Sequence, residues 1–208
     1  MFPPTMLKKA ETCLFLMITK KIFAQLRSEL EQFDKLREQL IAHSRVATKS
    51  SKHAIYAAHR GNLKEAHTLL DAAKKEIAAM NALIKKEPLL PQSTGALGDA
   101  CEEYAEACCY ISYLEEGNVP APDEIGVDTE TYLGALSDTV GELVRKAVNS
   151  AAAGDYKTPL EIKQFVSDLY AELLLFDWRN TPVRRKFDAI KYGLEKLEDL
   201  ALKISFKK

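Results

Sequence analysis

Apolar residues recur at helical spacing from Leu26 through Leu30, Phe33, Leu36 and Leu40, and the segment runs on to Arg60, where Gly61 supplies a C-terminal stop. This predicts one helix of more than about 35 residues, far above the usual length of a globular helix. Almost every other long segment carries the same periodicity, and none shows sustained alternation, so the chain is expected to be all-α. Asn62 and Glu65 have the spacing of a capping box that opens a second helix, carried by Leu63, Ala66, Leu69, Leu70, Ala73 and Ile77 to about Leu83. Pro88 and Pro91 bound the next linker. A third helix is expected from about Thr94 to Glu116, with a stripe of Leu97, Cys101, Tyr104, Cys108 and Ile111 that Gly117 ends. After the Pro-rich loop at 118–124, Asp128 caps a fourth helix striped by Tyr132, Leu133, Leu136, Val140 and Leu143. Thr158 before Pro159 and Thr181 before Pro182 are matching start signals, since proline at the first helical position sacrifices no hydrogen bond. The reading is a single-domain antiparallel bundle of six or seven helices over residues 17–208, preceded by a poorly ordered extension over 1–16.

Cys13, Cys101, Cys108 and Cys109 form no CxxC pair or disulfide framework, which points to a reducing cytoplasm and to cysteines used as small apolar residues. The apolar run at 13–18 is far short of a bilayer span, and Thr19, Lys20 and Lys21 follow it without a small-residue cleavage site, so no membrane is expected as a partner.

Charge is strongly segregated. Residues 1–60 carry a net +6, residues 61–178 a net −12 and residues 179–208 a net +5. Between Lys86 and Arg145 there is no lysine or arginine, yet there are thirteen acidic residues. Among them, Glu103 and Glu106 in EEYAEA and Asp138 and Glu142 in SDTVGEL are spaced to share a helix face. Carboxylates crowded without counter-charge raise one another's proton affinity or recruit a cation. Four such oxygen donors, brought together from two helices, suit Mg²⁺ or Mn²⁺ better than zinc and are the equipment of phosphodiester hydrolysis. The same spacing equally fits a surface ion pair from Glu142 to Lys146 with Asp138 solvated. No Glu is followed three residues on by His, which argues against a di-iron bundle. His43, His53, His59 and His67 lack the spacing of a zinc pair and read as surface or cap residues.

Arg45, Lys49, Lys52, Tyr56 and Arg60 follow one face of the first helix, a track suited to an RNA or DNA backbone with Tyr56 able to stack a base, or else a solubilising face. Arg184, Arg185 and Lys186 open the last helix, where the macrodipole disfavours cations, so an anionic partner is expected there too.

Four stretches taken together resemble the translin family, which includes translin and translin-associated factor X. They are SRVATKSSKHAIYAAHRGNLKEA at 44–66, EEYAEA at 102–107, DTETYLGALSDTVGELVRKAVNSAAAGDY at 128–156 and RNTPVRRKFDAIKYGLEKLEDLALKIS at 179–205. The resemblance implies an all-α subunit of an oligomer, typically an octamer, enclosing RNA or DNA in a shell. It further implies that Glu103, Glu106, Asp138 and Glu142 fall on the carboxylates that give translin-associated factor X its metal-dependent endoribonuclease activity, whereas translin proper lacks the ExxE and acts mainly as a binding scaffold. The NSAAAGDY segment and the RRKFDAIKYGLEKLE ending are closer to translin itself. A chain combining both sets of features is expected to form a homo-oligomer with a nuclease site in every subunit, as in archaea. The alternative is a non-catalytic, single-stranded RNA- or DNA-binding protein.

Overall fold

The computed structural model describes the backbone of residues 4–207 and the side chains of residues 19–207. The expectation for residues 1–16 therefore falls outside the described side chains, as does Cys13. The elements are α1 (Pro4–His59), α2 (Leu63–Lys86), α3 (Leu90–Ser93), α4 (Ala96–Glu116), α5 (Pro122–Ile125), α6 (Thr129–Ala152), α7 (Lys157–Leu173) and α8 (Pro182–Ser205), with no strand among the described residues. Six are long and two are single turns, placed in the linkers that proline marks. Among the described residues no helix is long and apolar enough to cross a membrane.

Local signals set most boundaries. Gly61 takes φ +77°, and the amides of Gly61 and Asn62 donate back to Ala58 and Ala57, closing α1 with the left-handed turn that favours glycine. Asn62 Oδ1 then accepts from the Glu65 amide at 3.2 Å. The return half of the expected capping box differs: the Glu65 carboxylate takes the Asn62 side-chain amide at 2.8 Å, not its backbone N–H. Asp128 caps α6 as expected, through the Thr131 amide at 3.0 Å. At α7 the cap belongs to Asp155, whose Oδ1 accepts from the amides of Lys157 and Thr158, so the helix starts ahead of the expected Thr158. Thr181 keeps its place before Pro182 but makes no side-chain cap bond.

At 1.5 Å per residue, α1 is a rod about 84 Å long. Its stripe divides in function. Phe33, Leu36 and Leu40 pack with Met80, Leu83 and Leu90 in a small cluster, whereas Ile22, Phe23, Leu26 and Leu30 are exposed. The main core begins at Ala54 and is lined by Ala54, Ala57 and Ala58 of α1, Ala66 and Ala73 of α2, and Ala105 and Ala107 of α4, all essentially without exposure. Small side chains let helix axes approach closely, so the polar residues flanking this seam are pressed together.

Chain direction matters for the site. α2 runs back along α1, and α7 runs against α6 and α8, to which short connections join it, with Tyr170 on Phe187 of α8 and Phe165 on Tyr113 of α4. Across the molecule, however, α1, α4, α6 and α8 point the same way. Ser44, Lys52 and His59 meet Ala96, Glu103 and Tyr110; Glu102 lies on Gly134; Lys186 and Gly193 meet Asp138 and Val140. The residues between α4 and α6, including α5, carry the chain back to the same end. Parallel register then brings the same turns of α1, α4 and α6 level with one another.

Candidate carboxylate site and nucleic-acid interface

Level turns on α4 and α6 bring the four predicted acids together. Glu106 reports it most clearly. Burial pushes its carboxyl up to about 8, and the charges of Asp138, Glu103 and Glu142 push in the same direction. Glu103, Glu106 and Glu142 line a 260 Å³ cavity with Lys52, Ile55 and Tyr56. Asp138 acts on Glu106 through its charge but is not among the lining residues.

The structure also supplies what the acidic stretch lacks locally. Lys52 of α1 pairs with Glu103 Oε1 at 3.0 Å, and this bond raises the Lys52 pKa. Lys186 of α8 donates to Asp138 Oδ2 at 2.6 Å and to Glu102. Burial would lower Lys186, but its two carboxylate partners outweigh it and the ammonium is raised. His59 bonds Glu142 through Nε2 and Tyr110 Oη through Nδ1, the latter at 2.9 Å, with the two rings 4.7 Å apart. The His59 bond is the chief reason the Glu142 carboxyl is lowered, and Arg145 at 3.6 Å adds to it. Only Glu106, of the four, has no cation at ion-pairing distance among the described residues.

His59 is therefore not a surface or cap residue. Its side chain is 6% exposed and wedged between Tyr110 and Glu142. Nor does Glu142 pair with Lys146, because His59 and Arg145 claim it first. Lys186, grouped by sequence with two partner-facing arginines, turns inward to the acids instead.

By donor chemistry the four carboxylates fit a hard divalent cation. In their present arrangement, no group of three or more His, Cys, Asp or Glu side chains among the described residues is disposed to hold a metal ion. Lys52, Lys186, and His59 with Arg145 sit instead on Glu103, Asp138 and Glu142.

Beside the cavity runs a groove of 640 Å³ between α1 and α4, lined on one side by Arg45, Lys49, Lys52 and Tyr56. Lys52, Tyr56 and Glu103 border both spaces. Tyr56 is half exposed, and its ring carries the Arg145 guanidinium 5.0 Å from its centroid. The rest of the predicted basic set lies elsewhere. Arg60 pairs with Glu65 at 3.2 Å at the end of α1; Arg184 donates to the Trp178 carbonyl at 2.9 Å and pairs with Asp188; Arg185 is exposed.

Sequence reasoning missed Glu102, Tyr110, Arg145 and the inward roles of His59 and Lys186. Glu102 carried a signal, since it stands four residues before Glu106 in the same EEYAEA. Gly134 carried another: a Cβ there would collide with the Glu102 carboxylate, so that acid lies directly on α6.

The chain as a whole is similar to known proteins. The sequence model of the Translin family matches residues 35–208. Translin from Gallus gallus is 36% identical over 81 residues, covering 39% of this chain and 35% of that protein, so the match spans about a third of the relative's length. Translin-associated protein X from Pongo abelii is 26% identical over 226 aligned positions, covering 88% of this chain and 77% of its own. Among solved structures, apo-NeC3PO superposes with a TM-score of 0.79 at 26% identity, over 86% of this chain and 95% of that one. The AfC3PO–duplex RNA complex superposes with a TM-score of 0.80 at 22% identity, over 89% and 97%, a likeness of fold.

Proposed function

This chain belongs to the translin family, and on that premise we propose that it is a metal-dependent endoribonuclease that cleaves single-stranded or nicked RNA within a translin-type homo-oligomer, with an octamer the expected size. The observation that carries this reading is the convergence of Glu103, Glu106, Asp138 and Glu142 from two helices beside a groove bordered by Arg45, Lys49, Lys52 and Tyr56. RNA binding is supported by that groove and by the solved complex of a protein of the same fold with duplex RNA. Self-association is supported by the exposed Ile22, Phe23, Leu26 and Leu30 on α1 and by Phe206, 79% exposed at the end of α8.

Glu103, Glu106, Asp138 and Glu142 would hold Mg²⁺ or Mn²⁺. When bound, the ion lowers the pKa of an attacking water and stabilises charge on the leaving oxygen. The chain's own residues do the rest. Arg45 and Lys49 hold the backbone by charge, without base readout. Tyr56, backed by Arg145, offers a stacking face where groove and cavity meet, which sets the scissile phosphate beside Glu103. Glu106 keeps its proton near neutral pH until a cation takes its place.

A second reading, a non-catalytic single-stranded RNA- or DNA-binding protein, is favoured by the protein cations on three of the four acids. Incubating fluorescent single-stranded RNA with the purified protein and Mn²⁺, with and without EDTA, separates the two. Shortening that EDTA abolishes supports the nuclease; a shifted but intact band supports the scaffold. Light scattering after size exclusion that gives a monomer would refute the shell.

A further inference from the structure

Lys186 stands between one acid that belongs to the proposed catalytic set and one that does not. Its ammonium donates to Asp138 Oδ2 at 2.6 Å and also to Glu102. Asp138 is held on Lys186 and does not border the cavity that Glu103, Glu106 and Glu142 share, whereas Glu102 lies with Asp99 and Glu103 on the acidic wall of the neighbouring groove, opposite Arg45, Lys49 and Lys52. We propose that Lys186 is a tethered counter-ion that occupies Asp138 until a divalent cation binds, and that Glu102 is the carboxylate that keeps the lysine when Asp138 is released. This rests on the reading of Asp138 as a metal ligand.

Three features of the fold suit the exchange. Lysine is a point charge on a flexible four-carbon stem, so its ammonium can leave one oxygen without any movement of α8. The helix itself is anchored: Val183, Phe187 and Ile190 are buried around Lys186, and Gly193 packs so closely on α6 that a Cβ would sit 3.1 Å from Val140 Cγ1. Glu102 is equally well placed, because Gly134 leaves room for its carboxylate on the surface of α6. A lysine that gives up Asp138 therefore retains an ion pair rather than standing partly buried without one, which would be costly. Glu102 is a positioning residue here, acting on the metal site through Lys186.

The experiment is a Mn²⁺ titration of the full-length protein without RNA, followed by the electron paramagnetic resonance of free Mn²⁺, for wild type, K186M, E102Q and the double variant. Removing a like charge from beside the ion in K186M is expected to tighten Mn²⁺ at least about tenfold. E102Q leaves Lys186 on Asp138 alone and is expected to weaken Mn²⁺ several-fold. In the K186M background the same E102Q change is expected to lose most of its effect, and this non-additivity distinguishes relocation of the lysine from simple loss of a negative charge. Unchanged or weaker binding by K186M, or strictly additive effects, overturns the proposal. In that event, D138N weakening Mn²⁺ leaves the nuclease reading intact, while no Mn²⁺ binding by any variant overturns both. Thermal melting confirms that each variant folds, and K186Q replaces K186M if the latter does not.

Discussion

Replacing Glu106 by Gln should make the metal-free protein more stable than wild type, by an amount that grows with pH. Glu106 is pushed up to about 8 from an ordinary 4.5 by burial and by the charges of Asp138, Glu103 and Glu142. The folded chain thus keeps a proton that the unfolded chain gives up near pH 4.5. For this group stability is greatest at low pH, declines as pH rises above 4.5, and reaches its floor once pH has passed the folded value. Linkage puts the loss at less than about 1 kcal/mol at pH 5, about 3 kcal/mol at pH 7 and about 5 kcal/mol at pH 9. Gln fills nearly the same volume and cannot ionise, so E106Q escapes the decline. For a chain of this size the widening of about 4 kcal/mol corresponds to roughly 8–16 °C in Tm. The assay is thermal melting of wild type and E106Q in EDTA from pH 5 to pH 9. Curves that stay parallel across that range would refute the claim that burial and neighbouring carboxylates raise Glu106.

Glu103→Ala and Asp138→Ala are each expected to abolish Mn²⁺-dependent RNA cleavage while RNA binding is retained, measured by gel assay and fluorescence anisotropy; undiminished cleavage by the double variant would end the nuclease reading. His59→Ala removes one of the two partners of Glu142 together with the bond to the buried Tyr110 hydroxyl and should cost about 2–4 kcal/mol in urea unfolding, and a loss below about 1 kcal/mol would contradict the buried bridge. The double variant R45A/K49A should weaken single-stranded RNA binding and reduce the slope of log affinity against log salt by about 1.4, as two lost phosphate contacts require, with an unchanged slope placing the RNA elsewhere.

What could be read from the sequence was whatever depends on neighbours three or four residues away. The long first helix, the Asn62 and Asp128 caps, the glycine stops at Gly61 and Gly117 and the pairing of Glu103 with Glu106 and of Asp138 with Glu142 are of this kind, because helix geometry alone puts those groups together. Boundaries failed where two local signals competed, as when Asp155 rather than Thr158 capped α7.

The tertiary structure alone decided how the acids are balanced. Lys52 lies 51 residues from Glu103, Lys186 48 from Asp138 and His59 83 from Glu142, distances over which no periodicity operates. They meet because α1, α4, α6 and α8 run in one direction and alanines and glycines at their contacts bring the axes close. The same packing turned a lysine-free, arginine-free stretch that invited a metal into a cluster already neutralised at three of four points. Its one exception, Glu106, is raised because burial and neighbouring charge are properties of the folded state.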